Sequence, residues 1–344
     1  AGVWQGAAPA AADFFQDTAL LAGAAAMPEG TLGALRRQLT PSPSSAVTAE
    51  ISPGITFTDP EPEVTDQKPV SVQPPEISPE YRGVLISETM AGSPSAVCWQ
   101  IGAGWLRNYT EIPRAQIDAE LSEPLELAPK ADGRVEVLIM HTHATESYQT
   151  WPDPVFDPGY TARSKSTALN MCAVGEKMAQ VLNAAGIRTL HDETLYDAPG
   201  YTDSYKRSRA GVQAYLERYP SIKVVLDVHR DAIEDSDGTR VKPVCEIDGE
   251  STAQVMVIAG CGNGSSIALP NWRLNLRFAA EWEAAMESAY PGLTRPVLCG
   301  YRFYNQDLTT GSLLIEIGGH ANTLDEALRA GEYAAKALAG VLGG

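Results

Sequence analysis

The sequence predicts an α/β fold in which a mostly parallel sheet is flanked by helices, and two features of the 344-residue chain support this prediction. Four short, almost uninterrupted apolar runs have the composition of strands that are buried on both faces. Segments with apolar residues at helical spacing lie between these runs, as in domains built from a parallel sheet and covering helices. The apolar runs are residues 135–140, 224–228, 254–259 and 313–317, and the helical segments are residues 169–182 and 271–290.

The ends of the predicted helices carry recognisable stop and start signals. Gly186 follows the first helical segment, and a Pro-Gly pair at residues 291–292 follows the second; both residue types commonly end helices. Thr323 and Glu326 have the spacing of a capping box, in which each side chain bonds the backbone N–H of the other residue. A final Ala-rich helix is therefore expected directly after Thr323.

The chain divides into three predicted parts. Residues 1–80 are an Ala-rich segment followed by a Pro-rich linker, with nine of the 24 prolines between residues 41 and 80. Such a segment buries too little apolar surface to offset the entropy of ordering it, so we predict a flexible, disordered tether. Residues 81–132 are predicted to form a small lead-in region that contains strands, and residues 133–344 to form the working domain.

The acidic composition excludes some classes of partner. With 43 acidic and 26 basic side chains the formal charge is −17, and no cluster of Lys and Arg is visible. A binder of duplex nucleic acid needs such a cluster to displace counterions, and electrostatic docking on anionic lipid needs one too. No run of 18 apolar residues is present, so membrane attachment is expected only through a hydrophobic anchor upstream of Ala1.

The cysteines restrict the kind of metal site. The chain has five cysteines, an odd number, and no two of them form a C-x-x-C pair. This pattern argues against a thiolate zinc site and excludes a full disulfide framework, although one bridge between Cys245 and Cys261 remains allowed.

Histidines and carboxylates concentrate at the ends of the predicted strands. His141, His143 and Glu146 follow the first strand, and His229 follows the second. Glu316 lies within the fourth strand and His320 comes shortly after it, so only His191 of the five histidines lies elsewhere. Because ligands of open α/β sheets bind at the carboxyl ends of strands, this distribution indicates a functional site there.

These residue types match the requirements of a catalytic zinc ion, which takes about three nitrogen or oxygen ligands and leaves one position open. His143 and Glu146 are three residues apart and can reach one ion from a single loop, with His229 as a ligand from another strand. A carboxylate in an apolar strand is costly unless it is paired or functional, so Glu316 is predicted to act as a base.

Alternative interpretations stay open for several of these residues. His141 and His143 point to the same side of an extended chain, so either one could be the ligand. Glu146 could instead be a helix-capping carboxylate. Arg230 and Asp231 could form an ordinary surface ion pair.

At this point the sequence resembles the stage II sporulation protein P family. The resemblance covers residue 135 to the C-terminus, and its motifs are long and in the correct order. The matching stretches are residues 137–148 (VLIMHTHATESY), 227–232 (DVHRDA) and 313–319 (LLIEIGG), supported by residues 271–279 and 304–308.

The resemblance implies a zinc-dependent peptidoglycan hydrolase of sporulating bacteria. The family is implied to act as an N-acetylmuramoyl-L-alanine amidase and as an endopeptidase on cross-linked stem peptides. It is implied to be membrane-anchored and to work with a lytic transglycosylase, stage II sporulation protein D, between the mother-cell and forespore membranes during engulfment. Its catalytic domain is similar to the zinc amidases, so an amidase-like fold is expected for residues 133–344.

The resemblance also implies roles for individual residues. His143 and His229 match the two histidine ligands of the zinc amidases, and Glu316 matches their late-strand general base. In those amidases a glutamate ligand lies near the start of the following helix, where this chain has Ser-Thr-Ala at residues 166–168. Glu146 is therefore taken as the third ligand.

Three further residues are assigned supporting roles in the same site. Arg230 is expected to help stabilise the oxyanion that develops during amide cleavage. His141 and Asp231 are expected to orient the ligands.

Two other functions are compatible with the sequence. One is a metal-dependent amide hydrolase that acts on a small acyl-amino acid and holds its carboxylate with Arg230. The other is a catalytically silent cell-wall-binding module, against which the intact set of His143, His229 and Glu316 argues.

Overall fold

The computed structural model describes residues 77–127, 133–152, 154–198, 200–262 and 268–343. The predicted disorder of the front segment therefore falls almost entirely outside the described residues. Among the described helices, none combines the length and the apolar character needed to cross a membrane.

The described residues form twelve strands and five α-helices, after a short 3₁₀ turn at Pro79–Tyr81. The strands are β1 (Gly83–Glu88), β2 (Cys98–Ile101), β3 (Gly104–Asn108), β4 (Val137–Met140), β5 (Val155–Phe156), β6 (Thr189–His191), β7 (Val224–Asp231), β8 (Arg240–Ile247), β9 (Glu250–Ala253), β10 (Val255–Gly260), β11 (Val297–Gly300) and β12 (Gly311–Gly319). The α-helices are α1 (Arg114–Leu121), α2 (Met171–Ala184), α3 (Ser204–Arg218), α4 (Trp272–Ala289) and α5 (Leu324–Gly343).

A large sheet of eight strands in the order β2-β3-β11-β10-β12-β7-β4-β6 organises the molecule. Two neighbouring pairs, β2 with β3 and β10 with β12, are antiparallel, and the other five are parallel. The prediction of a mostly parallel sheet is therefore confirmed. A smaller sheet has the order β5-β1-β8-β9.

The two faces of the large sheet are covered differently. Val224, Leu226 and Val228 of β7 belong to the main core, which also contains buried side chains of α2, α4 and α5. On the opposite face, Val225 packs in a smaller cluster that includes Val212 of α3. Because α3 covers only part of this second face, the face has room for polar groups beside the apolar cluster.

All four apolar runs of the sequence form strands, and both helical segments form helices. The capping box is present: the Thr323 N–H donates to Glu326 Oε2 at 3.0 Å, and the Glu326 N–H donates to Thr323 Oγ1 at 3.3 Å. Several elements have no counterpart in the sequence prediction, namely β5, β6, α3, β8, β9 and β11. The lead-in region supplies β2 and β3, which extend the large sheet directly.

Cys245 and Cys261 are both free and buried, so the bridge that the sequence allowed between them is absent. Cys245 Sγ lies 3.7 Å from the carbonyl oxygen of Thr252, on the neighbouring strand β9.

Candidate active site

The candidate site lies on the sheet face that α3 partly covers, where β4 and β7 end. Alternation along β7 places Asp227, His229 and Asp231 on this face, because side chains two residues apart in a strand point to the same side. Glu316 of β12 is the register partner of His229, so its side chain lies on the same face, one strand away. His143 joins them from the turn after β4. Three of the predicted site residues, His143, His229 and Glu316, therefore meet at one edge of the sheet.

The imidazole of His143 is packed among other rings. It stacks on Tyr201 with 4.4 Å between the ring centroids, and it meets His229 edge to face at 5.2 Å. Tyr205 of α3 lies at 5.4 Å on another side. Burial lowers the pKa of His143 to about 4, so the ring is neutral at pH 7. Its buried Nδ1 has no hydrogen-bond partner among the described residues.

His229 lies between two carboxylates. Its Nε2 is 2.7 Å from Asp227 Oδ1, and its Nδ1 is 3.5 Å from Glu146 Oε2. The backbone N–H and the hydroxyl of Thr142 donate to the two oxygens of Asp227, at 2.8 and 2.7 Å. Burial alone would lower the pKa of His229, but Asp227 and then Glu146 raise it well above its usual value. Both nitrogens of the ring are therefore oriented by carboxylates.

Glu146 faces His229 and two arginines. Arg163 Nη2 lies 3.6 Å and Arg230 Nη1 lies 3.8 Å from Glu146 Oε1. Burial would raise the pKa of Glu146, but Arg230 and then His229 hold it well below its usual range. Because its carboxylate is directed at His229, the helix-cap interpretation of Glu146 is wrong. The carboxylate is ionised and close to two imidazoles.

Glu316 is a buried carboxyl group with unused hydrogen-bonding capacity. Its Oε2 is buried and has no partner among the described residues. Burial and then the negative charge of Asp231 raise its pKa to about 8. A carboxyl group whose pKa lies near neutrality can both accept and return a proton, as a general base and acid must.

His141 lies on the other side of the sheet from this cluster. Its Nδ1 donates to the carbonyl oxygen of Val228 at 2.8 Å, and its Nε2 is 2.9 Å from Nε2 of His191. The sequence prediction that His141 and His143 point to the same side is wrong, because the chain turns directly after His141 at residues 142–145. His191, which the sequence prediction placed away from any strand, is the last residue of β6. The assignment of His141 to the catalytic set stays a prediction; its contacts are those of a residue that holds β7.

Arg230 and Asp231 do not form the surface ion pair that the sequence allowed. Both are buried, and Asp231 Oδ2 instead pairs with Arg295 Nη1 at 2.8 Å. The guanidinium of Arg230 donates to the carbonyl oxygens of Ser147 and Ala162, each at 3.0 Å. These bonds fix the loop that follows Glu146, and the predicted contact of Arg230 with an oxyanion stays a prediction.

His320 is buried near this loop but is not part of the cluster. Its backbone N–H donates to the carbonyl oxygen of Asp231 at 2.8 Å. Burial, with added repulsion from Arg230 and Arg240, lowers the pKa of His320 to about 3.

Sequence reasoning missed three contributors to the site. Asp227 carried a usable signal, because it is a carboxylate within an apolar strand, as Glu316 is. Tyr201 carried none: it is 59% exposed, comes from a loop, and reaches His143 only in the folded chain. Arg163 also comes from a loop and pairs with Asp197 at 2.9 Å as well as with Glu146.

The donor atoms of this site are of the types that bind zinc. The His143 Nδ1 has no hydrogen-bond partner in the described part of the chain. The His229 Nδ1 is turned away from Asp227, which is the carboxylate–histidine arrangement typical of metal-binding histidines. Glu146 adds an ionised carboxylate, so the set is two imidazoles and one carboxylate. Within the ranges that the structure describes, no three such side chains are already arranged as a site that would hold a metal ion.

Two amidases of known structure have a similar arrangement and are distant in sequence. The amidase AmiC2 of Nostoc punctiforme is 13% identical, with a TM-score of 0.35 over 60% of this chain and 94% of that chain. The CwlD amidase of Clostridioides difficile, solved with the GerS lipoprotein, is 12% identical, with a TM-score of 0.37 over 60% and 95%.

The sequence has a closer curated relative. Stage II sporulation protein P of Bacillus subtilis (strain 168) is 30% identical over 239 residues, which is 66% of this chain. The match spans 56% of the length of that relative. The sequence model of stage II sporulation protein P matches residues 106–339, more than half of the chain and all of the candidate site. The chain therefore belongs to the stage II sporulation protein P family.

Proposed function

We propose that this chain is a peptidoglycan hydrolase of sporulation that cleaves the amide bond between N-acetylmuramic acid and L-alanine, and also cross-links between stem peptides. One observation carries the proposal. Glu316 presents a buried carboxyl oxygen that has no partner among the described residues, on the same face and at the same edge of the sheet as two imidazoles and an ionised carboxylate. This is the combination that amide hydrolysis by an activated water requires.

His143, Glu146 and His229 would hold Zn²⁺ in this proposal. Zinc at such a site supplies Lewis-acid chemistry that polarises a carbonyl group and makes water more acidic. Asp227 keeps the His229 ring turned so that Nδ1 faces Glu146, at 3.5 Å. Thr142 in turn fixes both oxygens of Asp227, so this orientation is set before any substrate arrives.

Glu316 is the residue that moves protons. It takes a proton from the attacking water as the oxygen–carbon bond forms, and it delivers a proton to the amide nitrogen as the carbon–nitrogen bond breaks. The products are a free muramoyl carboxylate and a stem peptide with a new amino terminus. A pKa of about 8 allows both transfers near neutral pH.

Digestion of purified sacculi tests the proposal. The wild type should release stem peptides with free L-alanine amino termini, and Glu316→Gln and His143→Ala should reduce this release by about 10²-fold or more. Glu283→Gln is the matched control, because Glu283 is also a buried glutamate with a pKa of about 8 but lies beside β3, away from the imidazoles. Equal release by the wild type and Glu316→Gln would overturn the proposed chemistry. Activity only on free acyl-amino acids, or binding to sacculi with no release, would point to another function.

We further propose that the protein acts outside the cytoplasm during engulfment, together with stage II sporulation protein D. The match of this chain to the stage II sporulation protein P family supports this proposal. Digestion of sacculi with and without purified stage II sporulation protein D tests it. A rate with both proteins that equals the sum of the separate rates would contradict a functional partnership.

A further inference from the structure

A cavity of about 300 Å³ opens over β3, β10 and β11, and β10 is the neighbour of the strand that carries Glu316. Met256 of β10 lines it and is the register partner of Glu316, so the two side chains leave neighbouring strands on one face, with Cβ atoms about 5 Å apart. Arg295 also lines it, just before β11, at the edge of the sheet where β7 and β12 end. The cavity is therefore the next space along the sheet from the proposed reaction centre.

The lining of this cavity combines apolar side chains with two guanidinium groups. Met90, Met256 and Leu298 form apolar walls, and Arg107 and Arg295 contribute the positive groups. Glu88 is the acidic side chain in the lining, and it is exposed to solvent. A cavity of this size is at the small end of ligand pockets and suits one or two amino-acid residues.

Two contacts hold the walls in place. Gln254 Oε1 accepts the backbone N–H of Met90 at 2.7 Å, which fastens the loop after β1 over the cavity. Asp231 Oδ2 pairs with Arg295 Nη1 at 2.8 Å. This ion pair fixes the Arg295 guanidinium on the side of the cavity that faces the end of β7. A fixed guanidinium recognises a carboxylate with two parallel hydrogen bonds at a low cost in entropy.

We infer that this cavity is a subsite for a free carboxylate of the stem peptide, on the residue that follows the L-alanine of the cleaved bond. The inference rests on the proposed function, because it concerns another part of the same substrate. An extended peptide advances about 3.3–3.6 Å per residue, so the residue after the alanine reaches about one strand spacing from the scissile amide. Arg107 and Arg295 bind its α-carboxylate, while Met256 and Leu298 contact its side chain.

Methyl NMR of the Glu316→Gln protein tests binding without turnover. The protein is labelled with ¹³C-methyl methionine, and Met90→Leu and Met256→Leu variants assign the two cavity signals. The probes are L-Ala-D-Gln, which has a free α-carboxylate, and L-Ala-D-Gln-NH₂, in which that group is an amide. We expect the Met90 and Met256 signals to shift with the acid and not with the amide. The signal of Met178, which is buried in the main core, should stay constant.

Kinetics on muramoyl substrates with the same two stems tests the role in specificity. The wild type should prefer the free acid by about tenfold or more in kcat/KM, since the amide offers the two guanidinium groups a neutral group in place of a carboxylate. Arg107→Gln and Arg295→Lys should each reduce this ratio towards one. Glu88→Gln is the matched control, because it neutralises a cavity residue of the opposite sign and should preserve or increase the ratio.

The outcomes separate the subsite from the proposed function. Shifts of the cavity methionines with the acid, without hydrolysis of either muramoyl substrate by the wild type, would keep the subsite and refute the proposed function. Hydrolysis of both substrates at equal rates, or equal methyl shifts with the two dipeptides, would overturn the subsite and leave the proposed function intact.

Discussion

Asp227 Oδ1 and His229 Nε2 lie 2.7 Å apart, although the two residues are only two positions apart on the same strand. Their side chains point to one face of β7, and Thr142 donates one hydrogen bond to each oxygen of Asp227. The relationship turns the Nδ1 of His229 towards Glu146, at 3.5 Å. One strand thus supplies both a proposed metal ligand and the carboxylate that orients it.

Replacement of Asp227 by asparagine should therefore weaken metal binding. The amide is a poorer acceptor for the His229 N–H and makes the imidazole less basic, so the affinity for zinc should fall by about 10–100-fold. Competition with a chromophoric chelator measures this affinity directly. Asp307→Asn is the control, because Asp307 pairs with Arg209 at 2.7 Å and contacts no imidazole of the site. Equal zinc affinity in wild type and Asp227→Asn would show that the orientation of His229 does not depend on this carboxylate.

The sheet could be predicted from the sequence because its main strands are buried on both faces, so each of them is an almost continuous apolar run. Val224 to Val228 is such a run, interrupted only by Asp227, and Glu316 stands out within β12 for the same reason. The short strands β6 and β11 have only three and four residues and leave too weak a pattern to detect.

The site residues that lie at the ends of strands could be predicted from the sequence. The positions that depend on turns could not. His143 and His229 follow from the position of their strands. The separation of His141 from His143 depends on a turn at residues 142–145, whose sequence THAT contains no Gly or Pro that would indicate a turn. Tyr201 reaches His143 from a distant loop, a contact that local sequence does not encode.

A second prediction concerns Gly175 of α2, which makes room for the histidines under the sheet. A Cβ at this position would lie 2.4 Å from His141 Nε2 and 2.6 Å from His191 Nε2. Gly175→Ala should therefore destabilise the protein by about 1–3 kcal/mol, although alanine is the better helix former. Urea denaturation measures the change.

Gly340 of α5 is the matched control for this substitution. A Cβ there would have no heavy atom within 4 Å, so Gly340→Ala should stabilise the protein by about 0.5–1 kcal/mol. A Gly175→Ala protein as stable as Gly340→Ala would show that the two histidines can move aside freely.

A third prediction concerns the protons of His141 and His191. His141 Nδ1–H donates to a carbonyl oxygen and burial lowers the pKa of this ring to about 3, so its Nε2 is an acceptor. His191 must then donate through Nε2, at 2.9 Å, while its Nδ1 lies 3.2 Å from the Glu176 carboxylate. We expect His141 to be the Nδ1–H tautomer, with the shared proton on Nε2 of His191.

Nitrogen-detected NMR of the imidazole rings distinguishes the two tautomers of His141 at pH 7. Glu176→Gln should leave the Nδ1–H tautomer of His141 in place, because the carbonyl oxygen of Val228 accepts that proton. Glu332→Gln, at a half-buried position on α5, is a control that should leave both rings unchanged. A proton on Nε2 of His141 in the wild type would refute the assignment.

A fourth prediction follows from Glu283 of α4, a buried carboxyl group outside the candidate site. Its Oε1 accepts the backbone N–H of Trp105 at 2.9 Å and the hydroxyl of Thr294 at 3.1 Å, whereas its buried Oε2 has no partner among the described residues. Burial raises the pKa of Glu283 from 4.5 to about 8. The folded protein therefore keeps a proton at this position that the unfolded chain releases.

The sign of the pH dependence follows from this difference in bound protons. Because the folded state binds more protons between pH 4.5 and about 8, the contribution of Glu283 to stability falls as the pH rises through this window. Glu283→Gln has no such titration, so its stability relative to the wild type should increase across the window and level off above it. The gain should exceed about 1.4 kcal/mol, the equivalent of one pKa unit.

Urea denaturation of the wild type and Glu283→Gln at pH 5, 6, 7, 8 and 9 measures this difference. Glu332→Gln is again the control: a hydrogen bond from Lys336 lowers the pKa of Glu332, so this group is ionised in both states throughout the window. The difference in the free energy of unfolding between Glu332→Gln and the wild type should not change with pH above pH 5. A flat difference for Glu283→Gln would mean that Glu283 is ionised in the folded protein. The unpartnered Oε2 would then have to be hydrated, because a buried carboxylate oxygen without a donor is too costly to keep.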